Sequence, residues 1–446
     1  MRNFFIRLSS VILGLVIFVN DAIAVELSYV LSTEARASDN IRETENGKSG
    51  SSLSTGLVFT ISSKQNSNWS GQIDGSYTYE SFFGDSTQDQ EYKNLFGNIT
   101  YQSEVNNFTL RLLESLSQAP RNRFATETVG NLRTIQTFSI IPAYFIGISA
   151  LDRVNFEFAY VDLQNDDVIE GNNAFNASRT TRQGTISYER QLNSTQHFFI
   201  NANKLETEFD SNEGIDFDQE DYSLRWVVTG RATNIQLEYG VSKLSDQFGN
   251  DADANLVSVR INRQINRTQS VNFLVRSGFD TEINQDFSTD SVSLNVETKN
   301  FITAQKVLDI NFLYDYLSDS FNSSINLFST KLEEANGMDK ERQMGVELSL
   351  SYPVSRLIWG NDRGELEFSA AKIRRKFERG GLDINNSENN LRIISLAYRY
   401  SFNNNFSLFV KLNQRKAERG LSGINLSMAD SNSISIGVRF SPSTKF

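Results

Sequence analysis

The residues able to do chemistry in this chain are few and badly spaced for it. Among 446 residues there is one histidine, His197, and no cysteine. Serine hydrolysis at a nucleophile elbow needs Gly-x-Ser-x-Gly with a histidine as base, and zinc needs His-Glu-x-x-His or paired Cys/His ligands. None of these spacings occurs. His197 follows Asn193-Ser-Thr-Gln196, so it reads as a polar residue beside a turn. The spacing therefore predicts no catalytic residues, no cofactor and no enzyme. The acidic run from Asp210 to Asp221 offers the clustered carboxylates that hard cations want. Its Gly214 falls one position early for an EF-hand, so a hydrated loop competes with a calcium site, and divalent bridging to lipopolysaccharide phosphates is a third reading. Two basic runs, Lys372–Arg379 and Arg415–Arg419, are suited either to anionic lipid headgroups or to ordinary rim charge.

The elements that must carry these residues are strands. Trp69, Ile73, Tyr77 and Tyr79 alternate with Gln72, Asp74, Ser76 and Thr78, and the same two-residue rhythm recurs in Val154–Tyr160, Ser291–Glu297 and Leu308–Tyr316. Successive strand side chains point to opposite faces, so each segment is apolar on one side and polar on the other. Either a soluble sandwich or a transmembrane barrel with a wet interior can use this pattern. The connections decide between them. Long polar stretches (Asp39–Ser52, Gly84–Lys93, Gln118–Asn131, Gln164–Arg179, Asp210–Glu220, Asn322–Lys340) alternate with short ones (Lys64–Asn68, Glu104–Asn107, Ala150–Arg153, Asn193–Gln196, Thr229–Thr233, Asn403–Asn405). Outer-membrane barrels keep short periplasmic turns and longer outer loops, whereas a sandwich has no reason to. The expectation is an all-β, single antiparallel up-and-down transmembrane β-barrel of about 20 strands, within 18 to 22.

Composition agrees. Residues 1–24 read as a cleavable signal peptide: Arg2 and Arg7, an apolar core, then the small-x-small Ala22-Ile-Ala24. Residues 25–446 then form the barrel of an exported outer-membrane protein. No later stretch approaches the ~20 apolar residues of a spanning helix. Only four prolines occur, Pro120, Pro142, Pro353 and Pro442, each expected near a segment end where a missing ladder donor costs little. The mean hydropathy of −0.38 suits strands of which half face lipid. Asp and Glu (54) exceed Lys and Arg (43), which argues against a nucleic-acid partner.

Parity places a set of charged residues on the inward stripe. They are Asp74, Glu157, Arg225, Glu238, Arg260, Arg276, Glu297, Asp309, Asp315, Glu347, Glu365, Glu367, Arg399, Lys411, Arg415 and Arg439. Neither sign dominates, so no ion selectivity follows. The last strand carries Gly437 three residues before Phe440 on the lipid stripe, and the chain ends in Phe446. This resembles the terminal signal read by the barrel-assembly machinery; the extra Ser441–Lys445 leaves open which aromatic closes it.

The opening Ser32–Ile41, an outward strand closing on Ser38-Asp39-Asn40-Ile41, resembles the first strand and loop of outer-membrane barrels from exopolysaccharide and PEP-CTERM sorting loci. The resemblance implies a role in exporting or assembling a surface polysaccharide, with export components as partners. A strand beginning at Val25 leaves no room for a plug, which disfavours siderophore-type transporters. Two functions compete: a passive conduit, either porin-like or for polysaccharide, and a structural or adhesive barrel with a closed lumen. Lipid and lipopolysaccharide are the expected surroundings in both.

Overall fold

The computed structural model describes residues 25–41, 48–63, 68–83, 89–103, 107–120, 132–165, 178–210, 215–280, 305–318, 321–334, 339–354, 364–379, 387–421 and 424–442. Among them, twenty strands form one antiparallel sheet in which each strand pairs with its sequence neighbours. Strand β1 (Val25–Ser38) also pairs with β20 (Ile424–Phe440), from Leu31 opposite Phe440 to Ser38 opposite Ser433. The sheet is thereby closed. Closure gives every strand two partners, which is what a spanning sheet needs where no water can satisfy an edge.

The two faces separate as the alternation predicts. One carries large aliphatics left accessible to the surroundings, among them Leu31, Ile186, Leu224, Leu308, Ile310, Leu396 and Ile436. The other is mainly polar and holds the most enclosed side chains, Ser139, Leu205, Gln219 and Ser242. Side chains converge on the concave side of a closed sheet, so the polar face is the inner wall. That wall is not uniformly polar: Leu113, Ile141 and Ala159 cluster there with Phe96.

Aromatic rings mark the outer band's lower edge, at the short-turn end. Trp69 lies 4.7 Å from Tyr101, Tyr101 6.4 Å from Phe108, Phe406 4.8 Å from Phe440 and Tyr29 6.5 Å from Phe440. On β3 (Trp69–Phe83) the outward stripe runs from Trp69 to Tyr79. Ten residues at about 3.4 Å, tilted ~40°, span roughly 26 Å, the height of an outer-membrane barrel's apolar band.

The seam is latched by the motif that closes β1. Asn432 of β20 donates from its backbone N–H and its side-chain amide to the Asp39 carboxylate, at 2.7 Å each. Ser38 Oγ donates to the Asn432 carbonyl at 3.1 Å, and Asn40 donates to the Asp430 carbonyl at 3.1 Å. The Asn432 N–H, then its amide, hold the Asp39 carboxyl below the usual carboxylate value. Ile41 is buried against Gly50.

Several expectations are corrected. Asn322–Lys340 is not a loop: most of it is β15 (Phe321–Glu334), paired along its length with β14 (Gln305–Ser318). Phe328 of that strand lies over Gly345 of β16 (Asp339–Pro353). Pro142 is internal to β6 (Leu132–Gly147), and the ladder to β7 (Asp152–Asn165) skips Ile141 and Pro142 because proline has no N–H to give. The loop alternation also fades along the chain. Only Gln247–Asn250 joins β11 (Thr233–Asp246) to β12 (Asp251–Gln264), and two residues join β19 (Phe406–Leu421) to β20, both at the loop end. At the opposite end, ten residues separate β16 from β17 (Gly364–Arg379). The signal segment and the Ser291–Glu297 run lie outside the described residues.

Candidate functional site

The register places Asp74, Glu157, Arg225, Glu238, Arg260, Arg276, Asp309, Asp315, Glu347, Glu365, Glu367, Arg399, Lys411, Arg415 and Arg439 on the inner wall. Glu297 and Phe446 lie outside the described residues. Some of these charges meet. Arg276 reaches Asp309 at 2.6 Å, and Arg399 on β18 (Ser387–Ser401) reaches Glu367 at 2.8 Å and Glu365 at 3.5 Å. Glu157 takes Arg111 at 2.9 Å. Arg225 and Glu238 oppose each other in register yet turn elsewhere: Arg225 stacks 4.4 Å from the Phe199 ring, and Glu238 accepts from Ser223 at 2.6 Å. These pairs link strands one or two places apart, so they follow the wall rather than cross the lumen.

Between the charges runs a feature that alternation alone does not reveal. Ser324 pairs with Ser349, Ser349 with Ser369, Ser369 with Ser395, Ser395 with Asn413, Asn413 with Ser433 and Ser433 with Ser38. One row of small hydroxyl and amide side chains thus follows the hydrogen-bond direction across seven strands. Ser349 and Ser369 are exposed, so the wall there faces open space. Small side chains along this row reach only a short way into a wide barrel.

Two networks were missed by the sequence reading. His197 is not a plain turn residue: its Nδ1 lies 2.8 Å from Oε1 of Glu189, a nearly enclosed carboxylate that also takes Arg153. The polar stripe Thr181, Gln183, Thr185, Ser187, Glu189 on β8 (Arg179–Asn193) could have flagged Glu189. Asp221 accepts from Asn203 at 3.1 Å and from Gln219 at 2.9 Å, and is also bonded by Ser242. It was hidden by assigning Asp210–Asp221 to one acidic loop. The second half of that segment opens β10 (Phe217–Thr229), whose register turns Asp218 and Glu220 outward and Asp221 inward, so these carboxylates do not converge. Among the described residues no trio of His, Cys, Asp or Glu is arranged to hold a metal.

The terminal signal divides between the faces. Phe440 is on the outer stripe, whereas Gly437 faces inward beneath the Phe409 ring, where a Cβ would come 2.6 Å from the Thr33 carbonyl oxygen. The basic runs divide too: Lys372, Arg374, Lys376 and Lys416 lie on outer stripes, Arg375 and Arg415 on inner ones.

No protein-family model matches this chain, and no curated protein matches it. Solved structures do. The ferric enterobactin receptor of Pseudomonas aeruginosa, in complex with enterobactin, is similar at TM-score 0.51 and 9% identity, covering 94% of this chain and 81% of that one. A siderophore receptor of Acinetobacter baumannii gives TM-score 0.49 at 10% identity, covering 94% and 80%. The fold is an outer-membrane-type β-barrel.

Proposed function

We propose that this chain is an exported outer-membrane protein whose barrel is a passive conduit for hydrated polar solutes, with saccharide chains as the class its wall suits. The observation that carries the reading is the hydroxyl and amide row from Ser324 to Ser38, which is open to the lumen at Ser349 and Ser369. A saccharide sliding past such a wall exchanges water hydrogen bonds for equivalent ones and meets no deep well. Ion pairs held along the wall leave the passage free while keeping the wall stiff. Among the described residues every element is a strand of the barrel, so the interior holds no globular segment of theirs. The resemblance of Ser32–Ile41 to barrels of exopolysaccharide loci points to polysaccharide export, with export components as partners and the assembly machinery reading the last strand. The chemistry of transport is diffusion, without a catalytic group.

Liposome swelling tests this. Vesicles carrying refolded protein should swell in neutral sugars, at rates that fall with sugar size. Swelling no faster than in protein-free vesicles favours the structural, closed barrel instead.

A further inference from the structure

The outer stripes of five consecutive strands carry two ladders of like charge. Lys331 on β15 pairs with Arg342 on β16, which pairs with Lys376 on β17. Lys372 on β17 pairs with Arg392 on β18, which pairs with Lys416 on β19. Arg374 lies between the ladders. Like charges directly opposite in a sheet repel, so each ladder is a place where an added anion is favoured. Glu333 takes Lys331 and Lys340 at one edge, and Glu418 takes Lys416 at the other. Glu378 and Glu388 continue the outer stripes nearer the loops. Asp430 of β20 faces Lys416 in register, and cations on this patch outnumber acids by eight to five.

The patch sits at the rim of the apolar band. One step nearer the short turns, the next row is Leu348, Ala370, Ile394 and Gln414. Beside it, a cavity of about 870 Å³ runs from Ile394, Leu396 and Leu412 across Ile434 to Ala37, with the polar Asp39 and Asn432 at its loop end. The apolar end of this groove, Ile394, Leu396 and Leu412, lies below a cationic ladder, which matches one kind of molecule: acyl chains under a phosphorylated headgroup.

We propose that the outer face of β15–β19 is a binding site for a phosphorylated, multiply acylated glycolipid of the outer leaflet. Its phosphates span the Lys372–Arg392–Lys416 ladder and an acyl chain lies along Ile394, Leu396 and Leu412 at the near end of the groove. The site rests on the outer-membrane reading above, which puts the loop end in the outer leaflet. The ladder requires a headgroup wide enough to touch three strands, about 10 Å across, which a single phosphodiester is not.

The test uses full-length protein in detergent, titrated with purified lipid A, dephosphorylated lipid A and phosphatidylglycerol. Heat-modifiable migration on gels first shows that the barrel is closed, so failure of the barrel reading is seen separately. Lipid A should bind tightest. A K372A/R392A/K416A variant should keep heat-modifiability and lose on the order of 100-fold in affinity, at about fivefold per cation. A control triple at the short-turn end, R231A/R263A/R267A, should bind as the parent does. Unchanged affinity in the ladder variant, or equal binding of dephosphorylated lipid A or phosphatidylglycerol, overturns the site.

Discussion

Arginine placed at two successive positions of β14 should have opposite fates. Ile310 lies on the outer stripe, 41% exposed, between Val275 and Ser329 of the flanking strands. Tyr314 marks the girdle four residues away. Four residues at ~3.4 Å, tilted about 40°, put Ile310 roughly 10 Å above that girdle, close to the middle of a ~25 Å band. Ile310→Arg should therefore cost about 2–4 kcal/mol, the penalty of a guanidinium near the bilayer midplane. Asn311, its neighbour, faces the lumen and donates to Asn326 Oδ1 at 3.1 Å. Asn311→Arg gives up that bond, about 1 kcal/mol net, and puts its charge into a hydrated space. Urea unfolding of both variants refolded in lipid vesicles, followed by tryptophan fluorescence and gel mobility, measures the difference. Equal losses would refute the assignment of faces, and with it the barrel's orientation of every side chain.

Three further outcomes follow from the wall and its seam. Gly437→Ala should destabilise the barrel by about 1–3 kcal/mol, because the new methyl meets the Phe409 ring and the Thr33 carbonyl; thermal loss of the folded gel band reports it. The Asp39 carboxyl is held low by Asn432, so its contribution is full above the unfolded value of about 3.9 and disappears as pH falls through the lower folded value. Asp39→Asn should lower thermal stability at neutral pH and flatten the acid-side decline, as thermal scans from pH 7 to 2 would show. Deleting Ser323–Met338 should abolish heat-modifiability rather than widen a pore, since it removes most of β15.

What could be read in the residues followed from how strongly each stripe was marked. β1 was bounded correctly because Asp39-Asn40 stops it in a run of polar residues; β14 was found, though read as Leu308–Tyr316 and so short at both ends, because Leu308, Ile310, Phe312, Tyr314 and Tyr316 hold one stripe without a break. β15 was lost because its outward stripe is Ser323, Ile325, Leu327, Ser329, Lys331, with only two aliphatics between hydroxyls and a cation. A strand near the end of the apolar band can be that polar, since half of it already faces water. The inward charges were legible from parity, but their partners were not: Arg276 with Asp309 and His197 with Glu189 depend on register, which parity leaves open. The serine row was invisible for the same reason. Each serine is unremarkable in its own strand, and only pairing aligns them.

The claim that the lumen is a hydrated passage is tested most directly by one residue pair. The chain has no cysteine, so a single introduced thiol is unambiguous. Ser369 is exposed on the inner wall, and Ala370 follows it on the outer stripe. In planar bilayers, Ser369→Cys should conduct as the parent does until a charged, membrane-impermeant thiol reagent is added, and then drop stepwise in current. Ala370→Cys should conduct without responding. A silent bilayer from heat-modifiable protein, or an Ala370→Cys channel that responds while Ser369→Cys does not, would contradict the account.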